Sequence, residues 1–230
     1  MRVLLTNDDG IDAPGLEALV ASAAGLGAEL VVVAPAECHS GCGHRVTTDR
    51  PIRVNDVGVR RFRVEGTPAD CVRVALAGLV PDAALVLAGI NAGGNLGADL
   101  HHSGTVAAAR EAALHGRLAV AASQYRRGGS SFDWARAADW FAGVLTTLVA
   151  RGHEPGTFWN VNLPDPPAGA PRPAVVDCYV DVSPFSLNYR THDDGSWHYE
   201  SNYHERPRHA GSDVAVCFGG AISVSRVPVA

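Results

Sequence analysis

The N-terminal stretch MRVLLTNDDGIDAPG (residues 1–15) decides the predicted fold. Its apolar run at residues 3–5 is typical of a buried β-strand, and the polar residues 7–10 end that strand. Pro14 and Gly15 then introduce apolar residues that are spaced as on one face of a helix. A strand, a polar loop and a helix in this order favour a β-α-β unit, so we expect a parallel sheet.

The same alternation continues along the chain. Further apolar runs predict strands at residues 30–34, 84–88 and 118–122. Periodic segments between and after them predict helices at residues 67–79, 103–115 and about 132–150. Uninterrupted apolar strands are typical of a sheet that is covered on both faces. We therefore predict an α/β, Rossmann-like three-layer fold with a mostly parallel sheet.

Two segments interrupt this pattern. Residues 45–64 carry Pro and alternating Val and Arg positions, which predict a small antiparallel β insertion. From Pro164 the chain is polar and Pro-rich, then aromatic and His-rich, and residues 214–229 predict a closing β segment. We expect a Rossmann-like catalytic domain over residues 1–163. Residues 164–230 are expected to be a C-terminal extension, either a β-hairpin arm on a neighbouring subunit or a lid, and not an independent domain.

The composition excludes several classes of chemistry. The chain has 230 residues and a net charge of −5, and all 19 basic residues other than His are Arg. Without Lys, a Walker A phosphate loop and a Schiff-base enzyme are excluded. The negative charge argues against a nucleic-acid partner. No apolar run reaches the ~18 residues of a membrane span, and five scattered cysteines are typical of a reduced protein. We expect a cytoplasmic protein with no membrane partner.

Three predicted loops contain the candidate chemistry. In an open parallel sheet, ligands bind beyond the carboxyl ends of the strands. This rule selects residues 7–15, 35–47 and 89–105. The first loop contains the adjacent carboxylates Asp8 and Asp9. Carboxylate, hydroxyl and amide oxygens suit Mg²⁺, Mn²⁺ or Ca²⁺, although a helix-capping Asp8 beside a solvated Asp9 is the alternative.

The third loop predicts a phosphate site. Its glycines and asparagines let the backbone approach an anion, and Ser103, Gly104 and Thr105 lie at a predicted helix start. Free N–H groups and the helix dipole favour negative charge at such a position. The alternative is an ordinary capped helix behind a flexible loop. A metal site that faces a phosphate site is an arrangement suited to phosphoryl transfer.

The ordered motifs of these loops resemble those of the SurE family, the stationary-phase survival 5′-nucleotidases. The matching motifs are NDDG-x-x-APG from Asn7, S-G-x-G-H from Ser40, GTPADCV from Gly66, GIN-x-G-x-N-x-G from Gly89 and SGTV from Ser103. The resemblance covers residues 1–123 and returns at residues 160–164 and 212–229. The chain departs from the family pattern at His101, His102 and Arg110.

The resemblance implies a metal-dependent phosphomonoesterase that hydrolyses nucleoside 5′-monophosphates to nucleoside and phosphate. Activity on other phosphomonoesters or on polyphosphate is a further implication. The implied ligands of one divalent ion per subunit, Mg²⁺ or Mn²⁺ before Ca²⁺, are Asp8, Asp9, Ser40 and Asn91, of which the two aspartates are also candidate catalytic residues. The implied phosphate contacts are Asn95, Ser103, Gly104 and Thr105. The resemblance also implies a homodimer or homotetramer whose subunits exchange the C-terminal arm.

Other interpretations of these residues remain. An aspartyl-phosphate phosphatase of the haloacid dehalogenase type is disfavoured, because its acidic residues lie two apart and it uses Lys. A zinc site at Cys38, Cys42 and His44 is a second alternative, and a nucleotide-binding regulatory module without turnover is a third. His102 is a candidate leaving-group acid. Several aromatic side chains of the arm are candidates for stacking on a base or packing between subunits: Tyr189, Trp197, Tyr199 and Tyr203.

Overall fold

The computed structural model describes residues 1–128, 131–167 and 169–229. Within these residues, eleven strands and five α-helices alternate along the chain. The strands are β1 (Arg2–Thr6), β2 (Glu29–Pro35), β3 (Val54–Gly58), β4 (Arg61–Val64), β5 (Ala83–Ala92), β6 (Leu118–Gln124), β7 (Thr157–Leu163), β8 (Val175–Asp177), β9 (Tyr189–Thr191), β10 (Trp197–Tyr199) and β11 (Ile222–Pro228). The helices are α1 (Pro14–Ala23), α2 (Pro68–Val74), α3 (Gly104–Leu114), α4 (Trp134–Arg151) and α5 (Asp213–Phe218).

Nine of the described strands form one sheet in the order β3-β4-β2-β1-β5-β6-β7-β11-β8. The run from β4 to β7 is parallel, whereas β3 and β11 pair antiparallel with their neighbours β4 and β7. Helices α1 and α4 pack together on one face, and α2 and α3 pack together on the other. This architecture confirms the predicted α/β three-layer fold with a mostly parallel sheet.

The two faces of the sheet enclose separate apolar cores. Successive side chains of β1 point to opposite faces, so Leu5 joins a core with Leu16 and Phe141 while Leu4 joins one with Val106. All five side chains are fully buried. Burial on both sides explains why the strands are uninterrupted apolar runs. Packing in both cores fixes these parallel strands, so that the carboxyl ends of β1, β2 and β5 lie at the same edge of the sheet, which we call the rim.

Three predicted segments differ in the structure. The β insertion is confined to the β3–β4 hairpin, and β4 also extends the central sheet beside β2, so residues 45–53 contribute no strand. The predicted β segment at residues 214–229 begins as helix α5, because Ser212 caps it by accepting from the Ala215 N–H at 3.2 Å. Only the first part of the predicted helix at residues 67–79 is α-helical, because α2 ends at Val74 and a π-helical turn follows at Ala75–Leu79. Strand β7 was not predicted.

The C-terminal extension contains an antiparallel hairpin, β9–β10, outside the main sheet. Tyr189, Trp197 and Tyr199 are exposed on it. Tyr203 differs from these three, because it packs with Tyr125 and other buried residues of its own chain. Its role in stacking on a base or packing between subunits stays a prediction.

The carboxylate of Asp99 connects the C-terminal extension to the main body. Asp99 accepts a hydrogen bond from the Tyr203 hydroxyl at 2.9 Å and two from the Arg206 guanidinium at 3.1 and 2.9 Å. The guanidinium also lies 4.2 Å from the centre of the Tyr203 ring. These contacts fasten the extension to the loop after β5. In the described part of the chain, no helix combines the length and apolar character needed to cross a membrane.

Candidate metal and phosphate site

The three loops chosen from the sequence meet at one rim of the sheet, because β2, β1 and β5 are neighbours in it. The His39 N–H donates to the Asp8 carbonyl at 2.7 Å, which joins the second loop to the first. The Ala92 N–H donates to Asp9 Oδ2 at 3.1 Å, which joins the third loop to the first. The predicted convergence of residues 7–15, 35–47 and 89–105 is therefore present.

Asp8 lies under the start of helix α3. Its side chain is buried, and its Oδ1 accepts a hydrogen bond from the Thr105 hydroxyl. Gly104 makes this contact possible, since a Cβ at that position would lie 2.8 Å from the Cβ of Asp8. The positive end of the α3 dipole therefore faces Asp8.

The two adjacent aspartates form a negatively charged pair. Burial raises the pKa of Asp8 to about 6 and the charge of Asp9 adds to this, although the Thr105 hydroxyl opposes the shift. Burial also raises the pKa of Asp9, against a hydrogen bond from the Ala92 N–H. Among the described residues, no Arg or His is a main cause of either shift. Carboxylates with this little compensation fit a site for a cation.

The other two expected metal ligands, Ser40 and Asn91, are sequence neighbours of the residues that join the three loops. Ser40 is exposed next to His39, and its Oγ lies 3.1 Å from the Cys38 sulfur. Asn91 precedes Ala92, and its Nδ2 donates to the Gly93 carbonyl at 2.9 Å, so its Oδ1 is the atom that can face a cation. The four oxygen-bearing side chains therefore come from backbone segments that contact one another. Two carboxylates, a hydroxyl and an amide oxygen are the donor types that Mg²⁺ and Mn²⁺ take.

The GTPADCV motif anchors the second loop. Thr67 and Asp70 cap helix α2 reciprocally, and Asp70 also accepts from the Thr47 N–H at 2.8 Å and from its hydroxyl at 2.7 Å. Burial would raise the pKa of Asp70, but these hydrogen bonds outweigh it and hold that pKa below its usual value. The sequence alone did not assign this role to Asp70. The signal was present in its spacing of three from Thr67, which is typical of a capping box.

The expected phosphate contacts divide into two groups. Ser103 caps helix α3 by accepting from the Val106 N–H at 3.1 Å, as the predicted helix start requires. Gly104 follows at the first helical position, while Thr105 donates to Asp8. Thr105 thus supports the carboxylate, and Ser103 and Gly104 border the open end of the helix.

Asn95 is held by polar side chains of the neighbouring strands. Its N–H donates to Asn162 Oδ1 at 2.7 Å, and its carbonyl accepts from the side-chain amides of Asn160 and Asn162, each at 2.9 Å. Its Nδ2 lies 2.8 Å from the Ser123 hydroxyl. Because an amide nitrogen carries two hydrogens, Nδ2 can donate one to Ser123 and the other to an anion. Asn160 and Asn162 were missed because β7 was not predicted, and Ser123 because the predicted strand ended at residue 122.

The structure separates the members of the zinc alternative. The His44 Nε2 lies 2.6 Å from Glu111 Oε2, and the Cys38 sulfur contacts Ser40. Over residues 1–128, 131–167 and 169–229, no group of three or more His, Cys, Asp or Glu side chains could hold a metal ion. His102 is exposed beside the rim, with its ring 5.5 Å from that of Phe185. Its role as leaving-group acid stays a prediction.

Known proteins resemble this chain over most of its length. The family model of the survival protein SurE matches residues 3–178. A Nostoc sp. protein, provisionally named a 5′-nucleotidase, is 48% identical over 229 residues and covers 100% of both chains. The 5′-nucleotidase SurE 1 of Burkholderia lata is 47% identical over 169 residues, which are 73% of this chain and 65% of that protein.

The fold comparison gives the same result. The crystal structure of the SurE protein from Aquifex aeolicus matches 100% of this chain and 94% of its own, with a TM-score of 0.87 and 28% sequence identity. The matched family model spans all three loops and their strands. By sequence, by fold and by the residues gathered at the rim, this chain belongs to the SurE family.

Proposed function

We propose that this chain is a divalent-metal-dependent 5′-nucleotidase, which hydrolyses nucleoside 5′-monophosphates to nucleoside and phosphate. The names of its relatives support the reaction. The observation that carries the proposal is the Asp8–Asp9 pair, held without a cationic partner in the described residues against the start of α3. An anion at the helix start and a cation at the aspartates would lie side by side there, as phosphoryl transfer requires.

Asp8, Asp9, Ser40 and Asn91 would hold one divalent ion, with Mg²⁺ or Mn²⁺ preferred and Ca²⁺ next. Such an ion supplies Lewis-acid polarisation and a water of lowered pKa. The chain would bind the phosphate oxygens through the Ser103 hydroxyl and the backbone of Gly104, with Thr105 keeping Asp8 in place. Asn95 would donate to a further oxygen. One of the two aspartates would accept the proton of the attacking water.

Phosphate release from AMP tests this proposal. We expect release with Mn²⁺ and loss of activity with EDTA. Asp8→Asn should reduce turnover by at least about 10³-fold, because it removes one of the two charges that hold the ion, while the circular dichroism spectrum stays unchanged. Asp139→Asn is the matched control, since Asp139 is an exposed residue of α4. Normal turnover by Asp8→Asn would refute the assignment, and AMP binding without release would favour the regulatory module.

The proposal includes the remaining expectations from the family. We propose a homodimer or homotetramer formed through the β9–β10 hairpin, and activity on other phosphomonoesters. A cytoplasmic location and the absence of nucleic-acid or membrane partners complete it. Polyphosphate is a further proposed substrate, whose anionic leaving group would meet the exposed Glu37 carboxylate at the open side of the site.

A further inference from the structure

A cavity of about 490 Å³ opens beside the aspartate pair. Its lining includes Asp9 and Ala92 from the proposed metal site and, farther along, Phe132 and Trp134. This volume lies within the ~300–1,000 Å³ that small-molecule sites usually have. A ligand held at the metal site can therefore extend into this cavity without crossing bulk solvent.

The two aspartates face different sides of the sheet. Asp8 contacts Thr105 at the start of α3, whereas Asp9 lines the cavity together with residues of the β1–α1 loop. Helices α1 and α4 cover this second side, and α3 covers the first. A phosphate at α3 and this cavity would thus lie on opposite sides of the aspartate pair, and an ester substituent that extends past Asp9 would enter the cavity. The group that leaves the phosphate is the group this cavity would receive.

The far wall of the cavity is aromatic and well supported. The rings of Phe132 and Trp134 are stacked, with centroids 4.8 Å apart and an interplanar angle of 22°. The Arg126 guanidinium carbon lies 4.9 Å from the centre of the Phe132 ring. Trp134 packs closely on Gly15, where a Cβ would lie 3.1 Å from the indole. Trp134 and Arg126 cover the two faces of the Phe132 ring. A flat aromatic ligand would therefore meet Phe132 edge-on, an arrangement in which aromatic rings attract one another.

The Glu37 carboxylate is exposed at the opening of the cavity, whereas the Asp12 carboxylate is paired with Arg63 at 2.8 Å. The charge of Glu37 disfavours an anion at this edge. A neutral ligand with amino or hydroxyl groups can donate hydrogen bonds to such carboxylates, whereas a second phosphate would be repelled. A nucleoside meets both requirements, since it is uncharged and bears such donors.

We propose that this cavity binds the nucleobase of a 5′-nucleotide against Phe132 and Trp134, with the ribose beside Asp9 and Ala92. This inference rests on the proposed function, because it assigns the leaving group of the same reaction. It makes Phe132 a residue that determines preference for nucleotides over other phosphomonoesters. The aromatic residues of the β9–β10 hairpin are not needed for this contact.

Steady-state kinetics on two substrates test the proposal. Phe132→Leu keeps an apolar side chain but removes the ring, so we expect KM for AMP to rise about tenfold. KM for ribose 5-phosphate, which has no base, should change by less than about twofold. Phe132→Tyr should retain most of the affinity for AMP. Phe62→Leu is the matched control, since Phe62 packs on the other face of the sheet.

Binding of adenosine to the metal-free protein gives a second measurement that does not depend on turnover. Isothermal titration calorimetry should show saturable binding to the wild type and to Phe62→Leu, and binding at least about tenfold weaker to Phe132→Leu. Equal losses for AMP and ribose 5-phosphate, or unchanged adenosine binding, would overturn the inference. A wild type that binds adenosine but releases phosphate from neither substrate would instead overturn the proposed function.

Discussion

Gly104 leaves little room for a side chain at the site. A Cβ there would lie 2.8 Å from the Asp8 Cβ, 3.0 Å from Asp8 Oδ2 and 3.1 Å from the Cys42 sulfur. Contacts below 3.0 Å must be relieved by movement, and Asp8 is buried and cannot move outward. The smallest possible side chain at position 104 therefore acts directly on the carboxylate.

We expect Gly104→Ala to lower kcat/KM for AMP by about 100-fold, because a displacement of about 1 Å at a reacting group can have that effect. Gly25→Ala is the control, since a Cβ at Gly25 meets no atom within 4 Å. Phosphate release by both variants, beside their melting temperatures, is the measurement. An active Gly104→Ala enzyme would mean that Asp8 does not need this position.

At the level of elements, strands β6 and β7 hold Asn95 in place through hydrogen bonds. Ser123 on β6 contacts its side chain, and Asn160 and Asn162 on β7 hold its backbone. Ser223 on the neighbouring strand β11 is also buried, but its hydroxyl has no hydrogen-bond partner among the described residues. The two serines thus provide a comparison of a used and an unused hydroxyl.

Ser123→Ala should lower kcat for AMP about tenfold, because Asn95 loses the group that orients its amide. Ser223→Ala should leave kcat unchanged and the protein equally stable or more stable, since it removes an unpaired buried hydroxyl. Ser123→Thr, which restores the hydroxyl, should recover most of the activity. If both alanine variants have the same kcat, Ser123 has no positioning role.

The base of the C-terminal extension depends on another carboxylate. Asp181 accepts hydrogen bonds from the N–H groups of Ser183 and His209, each at 2.8 Å. Burial alone would raise its pKa, but these hydrogen bonds prevail and keep the pKa of Asp181 far below its usual range. The carboxylate therefore stabilises the fold above the unfolded pKa of ~3.9, and this contribution is lost as the pH falls through the lower folded pKa.

Asp181→Asn should reduce the free energy of unfolding by about 2 kcal/mol at pH 7. Its difference from the wild type should shrink below a pH of ~3.9, where the unfolded wild type takes up the proton. Urea unfolding at several pH values measures both effects. Asp193→Asn, on the exposed hairpin turn, should have no such effect; a difference independent of pH would exclude the carboxylate as its source.

The described fold shows which parts of this chain can be predicted from sequence. The apolar run at residues 3–5 and the turn after it were sufficient to predict a parallel sheet, because a strand buried on both faces leaves an uninterrupted apolar pattern. Helix α5 was missed because six residues are too few to show a helical period. Asn95 was found through its motif, yet the contacts that hold it come from β7, 65 residues later. Such long-range pairs leave no local pattern.

For the whole molecule, the exposed β9–β10 hairpin is a candidate interface with a partner subunit. Trp197 is 69% exposed there, beside Tyr189 and Tyr199. Clustered aromatic side chains on a surface usually mark an interface. The β3–β4 turn at the opposite edge of the sheet exposes a single apolar side chain, Val59, which is an ordinary surface feature.

We expect the double variant Trp197→Ser/Tyr199→Ser to be smaller in solution than the wild type, as measured by light scattering coupled to gel filtration. Apolar area buried between subunits is the main source of their affinity. Val59→Ser should leave the molar mass unchanged. A wild type that is monomeric, or a variant of unchanged mass, would contradict assembly through this hairpin.

Asp99 connects two regions that are otherwise distant in the chain. It belongs to the loop that contains Asn95, and it also holds Tyr203 and Arg206 from the extension. If a ligand at the rim changes the docking of the extension, then by thermodynamic reciprocity that docking changes the affinity for the ligand by the same factor. Such a coupling would be measured with equal size from the rim or from the C-terminal part of the chain.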